Sequence, residues 1–409
     1  MMLPRIEASW LSGGPLPRLL QVLDGDGEEA RVVGGAVRNA LLGEPIAEID
    51  VATTARPDEM MRRVTAAKFK AVPTGIEHGT VTVIVDGAPF EVTTLRHDVE
   101  TDGRHAKVAF GRDWKADAER RDFTMNALSA ARDGVVHDYV GGLEDLAARR
   151  VRFIGEPRRR IEEDYLRILR FFRFNAAYGE GVLDPEGLHA CIVSRAGLAQ
   201  LSRERVRMEL VKLLVARRAT PVLQVMADTG LLPTLLKGVP NVVHFATMTG
   251  LEAALSQRPD AMRRLAALTV LVVEDADRLH QVLRLSNDEH ARLAAMAAGW
   301  RAFSPAMSGP TQHASLYRAR DDFTAQVMLA WVRAGAPSNA QAWHALFELP
   351  RRWPVPVFPL KAADLMARGV EKGARLGVAL KAAEQAWIEA DFPSAPAKIA
   401  AIADAAARR

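Results

Sequence analysis

The spacing of apolar and polar positions changes near residue 150. Before it, β-branched runs alternate with short helical stretches. After it, apolar residues recur at helical spacing. Residues 31–33 predict a short strand ending in Gly34-Gly35, 36–42 a helix stopped by Gly43 and then Pro45, and 46–53 a second strand. An amphipathic helix with a basic face is expected over 57–69. Two β-branched runs, 80–85 and 90–95, flank Asp86-Gly87, a favoured tight-turn pair, and predict a hairpin. Residues 99–110 are polar and charged and predict a mobile loop.

Helices are expected over 161–178, 203–216, 220–229, 261–273, 321–334, 340–349, 362–368 and 374–390. The alanine-rich tail from Ala395 predicts a frayed helix, and the stretch 304–320 gives no readable signal. The fold class implied is α+β, a mixed-sheet part followed by an all-helical one.

Composition narrows the picture. Of the 409 residues, 49% are hydrophobic, enough for a sizeable core. The single cysteine, Cys191, excludes a disulfide framework and a cysteine-based zinc site and fits a reducing cytoplasm. The start of the chain shows no signal-peptide pattern. The longest apolar stretch, around 266–273, is far short of a membrane span, so no membrane partner is expected. A net charge of +4, carried mostly by arginine, permits a nucleic-acid partner without requiring one.

Two features carry candidate chemistry. Glu48 and Asp50 lie two apart in the expected strand 46–53, where i and i+2 share a face. Glu91 stands in the later strand 90–95. Were the two strands neighbours, three carboxylates would converge as oxygen ligands for a hard cation such as Mg²⁺. The alternative is three solvated carboxylates on an exposed face. The second feature precedes them: Gly34-Gly35 between strand and helix lets backbone approach a ligand, and the helix start offers unpaired N–H groups to an anion. Arg38, one turn in, is placed to reach a phosphate. An ordinary tight turn would look the same, and no G-x-G-x-x-G fingerprint accompanies it.

The order of motifs adds what single motifs lack. Gly34-Gly35-Ala36-Val37-Arg38-Asn39 followed by Glu48-Ile49-Asp50 resembles the active-site motif of class II tRNA nucleotidyltransferases and bacterial poly(A) polymerases, relatives of DNA polymerase β. Further segments match in the same order: Phe90-Glu91; Arg120-Arg121-Asp122-Phe123-Thr124-Met125-Asn126; Asp138 to Leu146; Glu163-Asp164 with Arg167 and Arg170; and Glu204-Arg205. The resemblance covers roughly residues 28–215. Two positions depart from the family pattern: Glu48 stands where Asp is usual, and so does Asn39.

The resemblance implies a nucleotidyltransferase head over residues 1–145, a base-reading neck over 146–215, and a helical body and tail over 216–409 that hold tRNA. It implies that Asp50 and Glu48 bind metal, with Glu91 the third catalytic acid. Gly34, Gly35, Arg38, Arg121, Asp122 and Asn126 would hold the ribose and phosphates, and Phe123 and Met125 read as core. Asp164 and Arg167 are three apart on the expected helix 161–178 and share a face. As an amino-acid template they would read the amino group and ring acceptor common to cytosine and adenine, supported by Glu163 and Arg170. An i,i+3 surface ion pair is the alternative. The segment around Arg104 would be the flexible loop that the switch to ATP requires.

The activity implied is untemplated addition of CCA to the 3′ end of tRNA from CTP and ATP, by two-metal phosphoryl transfer with Mg²⁺. No protein partner is implied. The resemblance leaves open a poly(A) polymerase, and Glu48 leaves open a non-catalytic RNA-binding relative. His97-Asp98 and His137-Asp138 both fall early in the chain, so no C-terminal phosphohydrolase marked by such a pair is expected.

Overall fold

The computed structural model describes residues 4–75, 79–102 and 105–408, with the side chains of 97–102 and 105–108 left aside. Two compact units divide the chain, Met1–Leu231 and Leu232–Arg409. The expected head–neck boundary at 145 falls inside the first.

The first unit opens with α1 (Ser9–Ser12), α2 (Pro15–Leu23), β1 (Ala30–Val33), α3 (Gly35–Leu42), β2 (Asp50–Thr53), α4 (Pro57–Ala66), β3 (Lys70–Gly75), β4 (Thr80–Val85) and β5 (Ala88–Thr94). It continues through β6 (Arg96–Asp102), β7 (His105–Phe110), α5 (Trp114–Glu119), β8 (Ser129–Ala130), β9 (Val136–His137) and α6 (Gly142–Ala147). Five helices follow: α7 (Pro157–Glu163), α8 (Leu166–Tyr178), α9 (Pro185–Val193), α10 (Arg203–Leu214) and α11 (Ala219–Asp228).

Seven strands form one mixed sheet in the order β3-β4-β5-β2-β1-β8-β9, in which only β2 and β5 pair in parallel. Helices α2 and α4 cover one face, burying Leu16, Leu19, Leu20, Met60 and Val64 over Val81, Val83 and Val85. Strand β4 alternates accordingly, each valine turned in and each threonine partly out. The β4–β5 hairpin turns at Asp86 and Gly87 with φ of 51° and 83°, the paired positive φ that a two-residue turn needs.

Several expected elements differ. The second strand begins at Asp50, not at 46: Val33 pairs with Asp50, and beyond it the chain leaves the ladder through Gly34, so 46–49 have no β1 partner. Residues 99–102 and 105–110 are strand rather than loop: β6 and β7 pair antiparallel from Arg96↔Phe110 to Asp102↔His105. Charge does not forbid a ladder whose bonds are all backbone. Arg104 lies outside the described residues.

The expected helix 161–178 is two helices, broken where Asp164 is extended (φ −156°, ψ 107°). The Asp164 carboxylate accepts from the Leu166 N–H at 3.1 Å, which ends one helix and starts the next. Helix 57–69 stops at Ala66, and Lys68 takes a left-handed φ of 64°.

The second unit is helical throughout its described regular structure, with Val242–Ala254, Ala261–Thr269, Val273–Leu283, Asn287–Gly299 and Phe323–Arg333 among its helices. The expected helix 261–273 breaks after Thr269, where the Asp275 carboxylate accepts from the Leu271 and Val272 N–H groups and starts a new one. The unreadable stretch 304–320 holds a helix, Gly309–Ala319, whose Ser308 hydroxyl caps it. The tail is not frayed: Pro396–Ala407 buries Ala403 and Ala406 against Ala379 and Ala383 of Ala374–Glu389. Among the described residues no helix is long and apolar enough to cross a membrane.

Candidate active site

One cavity of about 530 Å³ gathers nearly all the residues singled out in the sequence. Gly34, Gly35, Arg38, Glu48, Asp50, Arg121, Asp122, Asn126, Asp164, Arg167 and Arg170 line it, joined by Arg120, Arg173 and Phe174. Six arginines face four carboxylates there, a surplus of positive charge suited to a polyanion.

The acidic end is built on the sheet. Asp50, the first residue of β2, is the register partner of Glu91 on β5, so both side chains leave the face opposite α2 and α4. Glu48 arrives by a different route from the one expected: it precedes the strand, so the i,i+2 argument does not apply to it, yet it lines the cavity beside Asp50. Glu91 is exposed and stands behind Asp50 rather than in the cavity wall. Partial burial, then Glu91 and Glu48, push the Asp50 carboxyl up, with Arg121 pulling the other way. Arg121 is the one cation among the described groups that shift the Asp50 carboxyl, and it does not outweigh burial and the two acids.

A second end is built on α3. Gly34 has φ 70°, and a Cβ there would lie 3.1 Å from the Arg121 guanidinium, so the turn needs glycine. Arg38 is buried and already heavily engaged. It donates to Asn39 Oδ1 through Nε (3.0 Å) and Nη2 (2.8 Å), to the Tyr178 hydroxyl at 2.8 Å and to Asn126 Oδ1. Its guanidinium lies 3.9 Å from the Tyr178 ring centroid, and burial pushes its pKa down. Four of its five N–H donors are thus spent within the protein, and Arg38 braces the site more than it reaches out from it.

From Asn126 the network continues. Its amide donates to Asp122 Oδ1 at 3.0 Å, and Arg170 clamps Asp122 Oδ2 through Nε (2.7 Å) and Nη2 (2.5 Å). Burial opposes ionisation of Asp122, but Arg170 and the hydrogen bonds from Asn126, Arg170 and the Phe123 N–H outweigh it and hold the carboxyl below its usual range. Arg170 also approaches Glu209 of α10 at 3.8 Å, and Arg173 pairs with the same Glu209. Phe174 is buried yet lines the cavity, with the Arg38, Arg170 and Arg173 guanidinium groups within 5.3 Å of its ring centroid.

The motif from Asp138 to Leu146 supports this end without lining it. Asp138 caps α6 by accepting from the Val140, Gly142 and Leu143 N–H groups. A Cβ on Gly142 would sit 2.3 Å from the Thr124 carbonyl oxygen, so only glycine lets α6 press against the 122–126 segment. Fully buried Asp145 accepts from the Thr124 hydroxyl at 2.6 Å and from Arg150 and Arg152.

A third end sits at the α7–α8 break. Asp164 and Arg167 do not pair with each other. Asp164 Oδ2 takes Arg205 of α10 at 2.6 Å, whereas Arg167 binds Glu163 at 2.5 Å and the Arg160 carbonyl at 2.6 Å. The surface i,i+3 pair is therefore replaced by two separately braced groups facing one cavity. Arg205 was not expected as a support, because its partner lies 41 residues away and spacing carries no sign of it; nor was Arg160, which also donates to the Arg121 carbonyl 39 residues away.

Comparisons with known proteins agree with this arrangement. A family model described as the poly A polymerase head domain matches residues 30–152, and one described as a probable RNA and SrmB-binding site of polymerase A matches 183–242. The chain is 35% identical to CCA tRNA nucleotidyltransferase 1, mitochondrial, of Danio rerio over 95% of this chain and 90% of that one. It is 32% identical to a CCA-adding enzyme of Levilactobacillus brevis over 94% and 96%. The solved CCA-adding enzyme of Bacillus stearothermophilus in complex with CTP superposes with a TM-score of 0.72 at 28% identity, covering 92% of this chain and 93% of that one. By this similarity along almost its whole length, the chain belongs to the CCA-adding tRNA nucleotidyltransferase family.

Proposed function

We propose that the protein adds CCA to the 3′ end of tRNA from CTP and ATP, without a nucleic-acid template. The observation that carries this reading is the single cavity in which an acidic end, a glycine turn and a braced Asp164/Arg167 pair share one wall. In this reading residues 1–145 supply catalysis, 146–215 read the base, and the helices of 216–409 hold tRNA.

At the base end, the Asp164 carboxylate accepts the exocyclic amino proton that cytosine and adenine both carry, and Arg167 donates to the ring acceptor. Uracil and guanine present a carbonyl there and meet the carboxylate acceptor to acceptor. Arg205 and Glu163 keep the two groups apart and oriented while the base changes. Further along, the cavity arginines take triphosphate charge, Arg121 beside the Gly34 turn among them. Asn126 has one amide proton and one lone pair beyond its bonds to Asp122 and Arg38, enough for a ribose hydroxyl.

The acidic end fits Mg²⁺. Among the described residues no three ligating side chains form a ready-made cage. Mg²⁺ does not ask for one: one or two carboxylates plus substrate phosphates are its usual donor set, and Glu48 and Asp50 line one cavity. Glu48 and Asp50 would hold it, with Glu91 behind them; when bound it would acidify the attacking 3′-hydroxyl and stabilise the departing pyrophosphate. The buried, unpaired Cys191 fits a reducing compartment such as the cytoplasm, although the Danio rerio relative is named as mitochondrial.

The test is a labelled-nucleotide assay on tRNA transcripts that end before CCA, with Mg²⁺. Two additions from CTP alone and a third only when ATP is present are expected. A long adenosine tail from ATP alone would instead make it a poly(A) polymerase. No incorporation under any condition would overturn the catalytic reading.

A further inference from the structure

Glu48 reaches the cavity from a segment with almost no support of its own. Residues 44–49 lie outside the sheet, and the hydrogen bonds described for them both run to one residue of α3. The Glu44 N–H donates to the Asn39 carbonyl at 2.9 Å, and the Asn39 side-chain amide donates to the Pro45 carbonyl at 2.7 Å. The other end of that amide, Oδ1, accepts from Arg38 through both Nε and Nη2. Asn39 therefore ties three things together: the arginine bracing the cavity, the end of α3, and the peptide three residues before Glu48.

The chemistry of the tie is specific to an amide. An aspartate at 39 could still accept from Arg38, but it has no proton for Pro45 and would set a carboxylate oxygen against that carbonyl. The two departures from the motif, Asn39 and Glu48, thus sit at the two ends of one short segment. We propose that Asn39 is a positioning residue for Glu48, and that the longer carboxylate side chain is matched to a segment held at Pro45 by the Asn39 amide. This rests on the reading of Glu48 and Asp50 as metal-holding residues.

The test is a double-mutant cycle read by Mn²⁺ binding to the full chain, followed by electron paramagnetic resonance, with CTP kinetics beside it. Asn39→Asp replaces the donor to Pro45 with a carboxylate oxygen and keeps the acceptor for Arg38. It is expected to weaken Mn²⁺ binding about threefold to tenfold and to lower kcat while leaving the KM for CTP nearly unchanged. Glu48→Asp alone is expected to weaken binding as well. The double variant is expected to bind at least about threefold more tightly than the product of the single effects, because the shorter side chain no longer works against a tethered segment.

Effects that simply multiply, or unchanged Mn²⁺ binding in Asn39→Asp, would overturn the proposal. So would a change confined to the KM for CTP, which would mean that Asn39 acts only through Arg38. If Asn39→Asp does not fold, Asn39→Ala enters the same cycle with the same expectation. Asp50→Ala is the control for the underlying reading: Mn²⁺ binding that survives it would sink the metal assignment itself, independently of the coupling.

Discussion

Each unit buries a carboxylate against arginine, one guanidinium in the first and two in the second, and the surroundings of the two differ. In the first unit Asp122 is held by Arg170, Asn126 and a backbone N–H, and it lines the cavity. In the second, Glu252 is 1% exposed and takes Arg263 and Arg264 at 2.7 Å each, with a further bond from the Asp260 N–H. Both are closed ion clusters by local geometry. What separates them is the neighbourhood. Asp122 belongs to a chain of contacts running from Asn39 through Arg38, Asn126 and Arg170 to Glu209, of which Arg38, Asn126, Asp122 and Arg170 line one cavity. Glu252 joins two helices of a packed bundle. A buried charge cluster is therefore no sign of a site by itself; a cavity with donors left over is.

The comparison can be broken most directly at Glu252. Glu252→Ala leaves two buried guanidinium groups without their carboxylate and should lower the unfolding free energy by roughly 3–5 kcal/mol. Calorimetry should show the lost Tm, while the protein that remains folded at low temperature keeps its nucleotide-addition rate. An equal loss of catalysis would mean that the two clusters are not as different as their surroundings indicate.

Asp50→Ala should do the reverse. CTP addition should fall by roughly 10²–10³-fold or more with the fold intact, as judged by circular dichroism and single-turnover assays. At the base end, Asp164→Ala should change selectivity more than rate. The preference for CTP over UTP should shrink by about tenfold to a hundredfold, read by competitive incorporation on the same transcript. Unaltered discrimination would remove Asp164 from the template role.

The smallest effect concerns pH and stability. The folded state raises the Asp50 carboxyl above its ordinary value of 3.8, so folding favours the protonated form. Stability is therefore lost as pH rises from that value through the raised one, and at neutral pH the penalty is complete. Asp50→Asn should remove it and raise Tm by about 1–2 °C near pH 7, less at pH 4, because the side chain is partly open to solvent. Asp122 has the opposite sign: its depressed carboxyl contributes stability above 3.8 that is lost as pH falls through its lower folded value.

Much of this site was legible in one dimension. The glycine turn, the strand carrying Asp50 and the hairpin carrying Glu91 are local signals, set by turn chemistry and side-chain alternation within a few residues, whereas Asp122 and Asn126 stood out only through the resemblance of their motif. The helical second unit was legible as a class for the same reason. Breaks were harder. Asp164 and the 270–272 junction read as helix because their apolar spacing continues across them, and only a side-chain bond to the next N–H groups interrupts it.

Sequence by itself determined the inventory: which residues can hold a cation, accept an amino group or pin a phosphate, and in which order they occur. Tertiary structure decided what each is free to do. Pairing β2 with β5 placed Glu91 beside Asp50, whereas Glu48 came in from outside the sheet. Packing α8 and α10 under the cavity brought the Tyr178 hydroxyl to Arg38 and gave Asp164 to Arg205, and the 122–126 segment brought Asn126 to Arg38. The physical reason is one of range. Backbone preferences and hydrophobic period act over a few residues, but a buried polar group must satisfy its bonds with whatever the fold brings near. Those partners lie 41, 88 and 140 residues away along this chain.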